Sequence, residues 1–218
     1  MGPVRRRSWF RVVWVVGGVS AVAVAGLACG SKGGAPAAET QSGVATIVAM
    51  SQPDPIGDTA TDDTTPKPTN EPRADIVGAD AAYGPSGITF KMQVAQPTDP
   101  RTDPEWTSDN TYATWVVDTD LGGDPDYEIQ YFVDDNRLMG NVSRPGENGR
   151  KVCDATAAIY GPGGYELTVD PTCLGNPAAF SYQARMFHDT NPVSDDDSTV
   201  ASDTAPNTGW SPPVRNNG

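Results

Sequence analysis

Four aspartates and a glutamate fall within one short stretch, Asp118-Thr-Asp120-Leu-Gly-Gly-Asp124-Pro-Asp126-Tyr-Glu128. Hard carboxylate oxygens on a glycine-containing turn suit Ca²⁺, so Asp118, Asp120, Asp124 and Asp126 are candidate metal ligands. The spacing is not that of an EF-hand: with Asp118 at position 1, Gly122 falls at position 5 and Ile129 at position 12, where carboxylates are needed. The alternative is that these acids are solvated and only shape the turn. Asp54, Asp58, Asp62 and Asp63, and then Asp195-Asp196-Asp197, make two further acidic stretches. Both are assigned to mobile segments.

Three cysteines carry the next chemistry. Cys29 follows a basic start (Arg5, Arg6, Arg7, Arg11) and the apolar run Val12 to Ala28, the order of a secretory signal. Ala25-Gly26-Leu27-Ala28-Cys29 resembles the lipobox of bacterial lipoproteins, with Leu27 one place later than usual. That resemblance implies lipidation at Cys29 and a chain tethered outside the membrane; simple secretion by cleavage at the same bond stays open. Cys153 and Cys173 remain as a pair, and a pair in an exported chain reads as a disulfide. Two strands about the turn Gly161-Pro162-Gly163-Gly164 place Tyr160 opposite Tyr165. The same register brings Cys153 opposite Cys173 to within one residue.

Catalytic patterns are sparse. His188 is the only histidine, and no Gly-x-Ser-x-Gly, His-Glu-x-x-His or phosphate-loop pattern occurs. Paired carboxylates could serve a hydrolase, but among 28 acids some proximity is expected by chance. Trp106, Trp115, Trp210, Tyr112, Tyr127 and Tyr131 could stack on a sugar or fill a core; alternation favours the core. Met92, Met139 and Met186 likewise read as core rather than, with His188, as haem ligands. The leader holds four of the 15 basic residues and no acid, leaving 11 basic against 28 acidic side chains from Cys29 onward. Such a field repels nucleic acid and anionic lipid headgroups and argues against both as partners.

The elements that must position these residues are strands. Period-two alternation recurs over Ile88 to Val94, Tyr127 to Val133, Tyr165 to Val169 and Phe180 to Met186, with Tyr112 to Asp118 and Arg137 to Ser143 between them. Ala45 to Met50 and Ala155 to Tyr160 are further strands, and Asp170 to Gly175 suggests a helical turn. The expected fold is all-β, an antiparallel β-sandwich of about nine or ten strands. The expected organisation is a signal peptide over 1–28, a flexible tether over 29–43, the sandwich domain over 44–214 with a long mobile loop at 58–71, and a tail at 215–218.

Several motifs recur in one order: Asp54-Pro55-x-Gly57-Asp58, Asp75-Ile76, Gly87-Ile88-Thr89-Phe90, Val117-Asp118-Thr119-Asp120, Leu174-Gly175-Asn176-Pro177 and Asp203-Thr204-Ala205-Pro206-Asn207. Together they resemble an exported bacterial sandwich domain similar to carbohydrate-binding module family nine and DOMON domains. The resemblance spans roughly Ala45 to Val214 and implies a non-catalytic sandwich. The resulting expectation is a lipid-anchored, non-catalytic module on the outer face of the cell envelope, binding a glycan or an envelope protein. A carboxylate hydrolase and a Ca²⁺-stabilised structural surface protein are the alternatives.

Overall fold

A computed structural model of the chain describes residues 49–62, 64–146, 149–193 and 199–216. Cys29, the leader, the tether, Asp63 and Asp195 to Asp197 lie outside the described residues. Among the described residues, thirteen strands run in the order β1 (Ala49–Pro53), β2 (Ala60–Thr61), β3 (Ile76–Gly84), β4 (Gly87–Val94), β5 (Tyr112–Asp118), β6 (Tyr127–Asp134) and β7 (Arg137–Ser143). They continue as β8 (Lys151–Asp154), β9 (Ala157–Gly161), β10 (Gly164–Val169), β11 (Ala179–Asp189), β12 (Val200–Ala205) and β13 (Val214–Arg215). Among the described residues, 3₁₀ turns lie at Pro104–Thr107 and Pro171–Leu174. Each has an aspartate at its N-cap, Asp103 and Asp170, and a proline that needs no amide partner. Among the described residues no helix is long and apolar enough to cross a membrane.

The fold is all-β, with two antiparallel sheets. One has the order β1-β3-β4-β10-β9; the other has the order β2-β12-β11-β5-β6-β7-β8, with β13 added alongside β11. Alternation explains the layering. Ile88, Phe90 and Met92 of β4 and Tyr165 and Leu167 of β10 face Trp115 of β5, Ile129 and Tyr131 of β6, and Phe180, Tyr182 and Met186 of β11, all fully buried. Tilted ring pairs Phe90–Trp115 and Phe90–Phe180 join the layers, with centroids 5.9 and 5.6 Å apart. Gly140 of β7 lies where a side chain has no room, since a Cβ there would come within 2.1 Å of Leu167 Cδ1.

The β9–β10 register is the expected one, with Tyr165 paired to Tyr160. Cys153 and Cys173 are joined, with Cα atoms 6.0 Å apart. The bond's position in the fold differs from the simple hairpin. Cys153 lies in β8, paired with Val142 of the eight-stranded sheet, and the chain crosses to the other sheet before β9 begins. Cys173 lies in the turn after β10. The disulfide therefore ties the end of one sheet to the exit of the other.

Two boundaries need correction. The 58–71 segment, expected as a mobile loop, is fastened at both ends. Ala60 and Thr61 pair with β12, Thr69 N donates to Thr59 O at 2.9 Å, and Thr59 and Glu71 are buried. Thr59 supplies the reason, because its hydroxyl donates to Thr69 O at 2.9 Å and closes the excursion on itself. The expected tail at 215–218 begins inside a strand: Arg215 pairs with Ala179, and Asn216 N donates to Ala178 O at 3.0 Å.

Candidate functional site

The aromatic residues divide cleanly. Trp106, Trp115, Tyr127 and Tyr131 are buried among core side chains and present no stacking surface. Tyr112 points the other way, onto the outward face of the eight-stranded sheet, where its ring stacks on Phe187 with centroids 4.7 Å apart and planes 24° apart. Phe187 gave no separate sequence signal, because the alternation of β11 assigns it only to the polar side. Beside the aromatic pair, strand registry lays out a row of hydrogen-bonding side chains. Thr204 of β12 pairs with Arg185 of β11, then come Thr114 of β5, Gln130 of β6 and Asn141 of β7. Arg185 Nη2 donates to Gln183 Oε1 at 3.0 Å. Burial pushes the Glu128 carboxyl upward, while Thr114 and the Arg185 charge pull it back. Burial likewise lowers Arg185, and the Glu128 charge opposes that. The face therefore combines a half-buried aromatic pair with amides, hydroxyls and a coupled acid and base.

Three acidic clusters lie elsewhere. In the first, Asp118, Asp120 and Asp126 bring carboxylate oxygens within 4.8 Å of one another at the β5–β6 turn. Asp124, the fourth expected ligand, is exposed and outside this group. Trp210 packs back on the same turn, its Nε1 donating to Gly123 O at 3.1 Å.

The second cluster joins Asp54, Asp58 and Asp203. Sequence spacing assigned Asp54 and Asp58 to a mobile stretch and did not single out Asp203, because 145 or more residues separate them. The fold brings them together through backbone contacts. Gly57 N donates to both Asp75 oxygens at 2.9 and 3.0 Å, Ile76 N donates to Asp203 Oδ2 at 2.8 Å, and Asn207 Nδ2 donates to Asp58 Oδ2 at 2.6 Å. Burial, then the charges of Asp203 and Asp58, push Asp54 up to about 7. Burial, against two backbone donors and with the charges of Asp58 and Asp75, pushes Asp203 up to about 6.

The third group is Asp103, Glu105 and His188. His188 is fully buried, with Nε2 2.9 Å from Glu105 Oε2. Arg73 bonds Glu105 and also Glu71, the latter from Nε at 2.7 Å. The guanidinium already supplies the positive charge a metal would bring, and burial together with Arg73 lowers His188 against the opposing pull of Glu105 and Glu71. This arrangement is an ion-pair network across the core edge. His188 Nε2 is engaged with Glu105, while its Nδ1 is buried with no hydrogen-bond partner, and Met92 and Met186 are buried in the core.

Comparison with protein-family models, with characterised proteins and with solved structures finds no match to this chain.

Proposed function

We propose that this chain is an exported, non-catalytic binding module, held at the cell envelope through lipid on Cys29, whose eight-stranded sheet grips a glycan on its outward face. The observation that carries this reading is the Tyr112–Phe187 stack beside the half-buried Thr204, Arg185, Gln130 and Asn141, which strand register sets in one row with the buried Thr114. A pyranose offers an apolar ring face and a rim of hydroxyls. An aromatic surface next to amide and guanidinium donors complements both. The acidic chain speaks for a neutral or cationic sugar polymer over a polyanionic one.

A carboxylate hydrolase is the weaker reading. Of the Asp54–Asp203 pair outside the turn, Asp203 is 6 % exposed and accepts from the amides of Ile76 and Thr204. An acid so engaged is fastening the backbone.

The test is a panel of soluble polysaccharides and peptidoglycan fragments, read by calorimetry against the full chain in detergent. Binding of a glycan that Tyr112→Ala and Gln130→Ala each weaken about tenfold, with unchanged melting temperature, is the expected result. Retention of no glycan, or binding indifferent to both substitutions, removes the reading. For the anchor, Cys29→Ala should release the protein from the membrane fraction; unchanged retention overturns the lipid assignment.

A further inference from the structure

The β5–β6 turn carries a binding site of its own, independent of the glycan face. We propose that it binds one Ca²⁺ through Asp118, Asp120 and Asp126, with water completing the shell.

The carboxylates are oriented in one consistent way. Asp118 Oδ2 accepts from Gly123 N at 2.7 Å, Asp120 Oδ1 from Gly122 N at 2.8 Å, and Asp126 Oδ2 from Thr119 N and Oγ1 at 2.8 and 2.6 Å. Each acid thus spends one oxygen on the turn's own donors and keeps a second. That of Asp118 is the decisive one. Asp118 is only 2 % exposed, and its Oδ1 is buried with no hydrogen-bond partner. A buried carboxylate oxygen without a donor is destabilising, and a cation at that point would offset the cost. Among the described residues none of the three acids forms an ion pair with Lys or Arg. Arg144, the nearby base, lies over the Tyr127 ring at 4.8 Å and bonds its hydroxyl.

Ligand chemistry selects the ion. One remaining oxygen from each carboxylate gives three, short of the six to eight that Ca²⁺ takes, and the exposed side of Asp120 admits water for the rest. The ligands are all oxygen, which disfavours zinc and other ions that prefer nitrogen or sulfur. Mg²⁺ demands a near-ideal octahedron at shorter distances, and an open turn does not impose one.

Tb³⁺ is a suitable probe because Trp210, which touches the turn, can sensitise its luminescence. The full chain in detergent should show tryptophan-excited Tb³⁺ emission that Ca²⁺ displaces, and a higher melting temperature in Ca²⁺ than in EGTA. Asp120→Asn, at an exposed position where folding is safe, and Asp126→Asn should each weaken Ca²⁺ binding about tenfold or more. Asp124→Asn and Asp58→Asn should leave it within about twofold. No calorimetric signal and no thermal shift up to about 5 mM Ca²⁺ would overturn the site. So would affinity unchanged in Asp120→Asn, or lost in Asp58→Asn, which would move the ion to the other cluster. Glycan binding can fail or succeed without altering any of these outcomes.

Discussion

Asp54→Asn should stabilise the protein above pH 7 and flatten the pH dependence of its stability. Asp54 and Asp203 are pushed up to about 7 and about 6, by burial first and then by neighbouring carboxylates. Both folded values exceed the unfolded one, about 3.9, so the folded chain holds more protons than the unfolded chain between roughly pH 4 and pH 7. The favourable contribution is therefore complete below about pH 4 and is lost as pH rises through 6 and 7. A shift of this size on Asp54 corresponds to about 4 kcal/mol if taken whole. Asp54 is only partly buried, and solvent screening reduces that to about 2 kcal/mol. Urea unfolding at pH 5 and pH 8, in EDTA to keep divalent ions from neutralising the cluster, measures the loss. About a third of that is already lost at pH 5, so the wild type should lose about 1.3 kcal/mol more than Asp54→Asn between the two values. His188 titrates with the opposite sign, since its lowered value favours the folded state at high pH, but it is common to both proteins and drops out of the comparison. Equal slopes in the two proteins would refute the reasoning, because the pair would then carry no differential proton.

Opening the disulfide by Cys153→Ser or Cys173→Ser should cost about 3 kcal/mol, the loop-closure value for about 20 residues, seen as a lower urea midpoint; a loss under about 1 kcal/mol would mean that core packing alone holds the two sheet ends together. Gly164→Ala should lower the melting temperature sharply: φ is +88°, and a Cβ would come within 2.2 Å of Met92 O, so at least about 2 kcal/mol is expected, and a neutral substitution would mean the turn can shift away from β4.

Sequence legibility followed side-chain size. Where alternation used large residues, strand limits were readable: Tyr112 to Asp118 and Arg137 to Ser143 are strands over those same residues. The Asp135-Asn136 turn was readable too, since both residues adopt positive φ as a two-residue hairpin requires. Strands β3 and β12 were faint because small residues fill their inward positions, Ala79 and Ala81 in one, Ala201 and Ala205 in the other. β12 also breaks the apolar-inward rule at Asp203, which faces inward to receive Ile76 N from the opposite sheet. The Tyr112–Phe187 stack was unreadable for another reason: it depends on the β5–β11 register, and 75 residues separate its members. The acidic turn needed no long-range information. Only the exclusion of Asp124 did, because facing is set by how the turn folds and not by spacing.

The motifs behind the sequence resemblance have a structural explanation that bears on what they can say about function. Asp54-Pro55-x-Gly57-Asp58, Asp75-Ile76 and Asp203 to Asn207 form one hydrogen-bonded knot: Gly57 is held by Asp75, Ile76 by Asp203, and Asp58 by Asn207. The knot fastens the chain after β1 and the start of β3 to β12, closing one side of the sandwich where two sheets would otherwise leave buried amides unpaired. Residues doing this work are required by the fold whatever the domain binds. Their joint presence therefore argues for a way of closing a sandwich and carries no ligand with it. Ligand choice has to reside in side chains the fold leaves unconstrained. Thr204, Gln130 and Asn141 on the outward side, with the Tyr112–Phe187 pair, come nearest to that condition, since the core packs against the opposite face of the same strands.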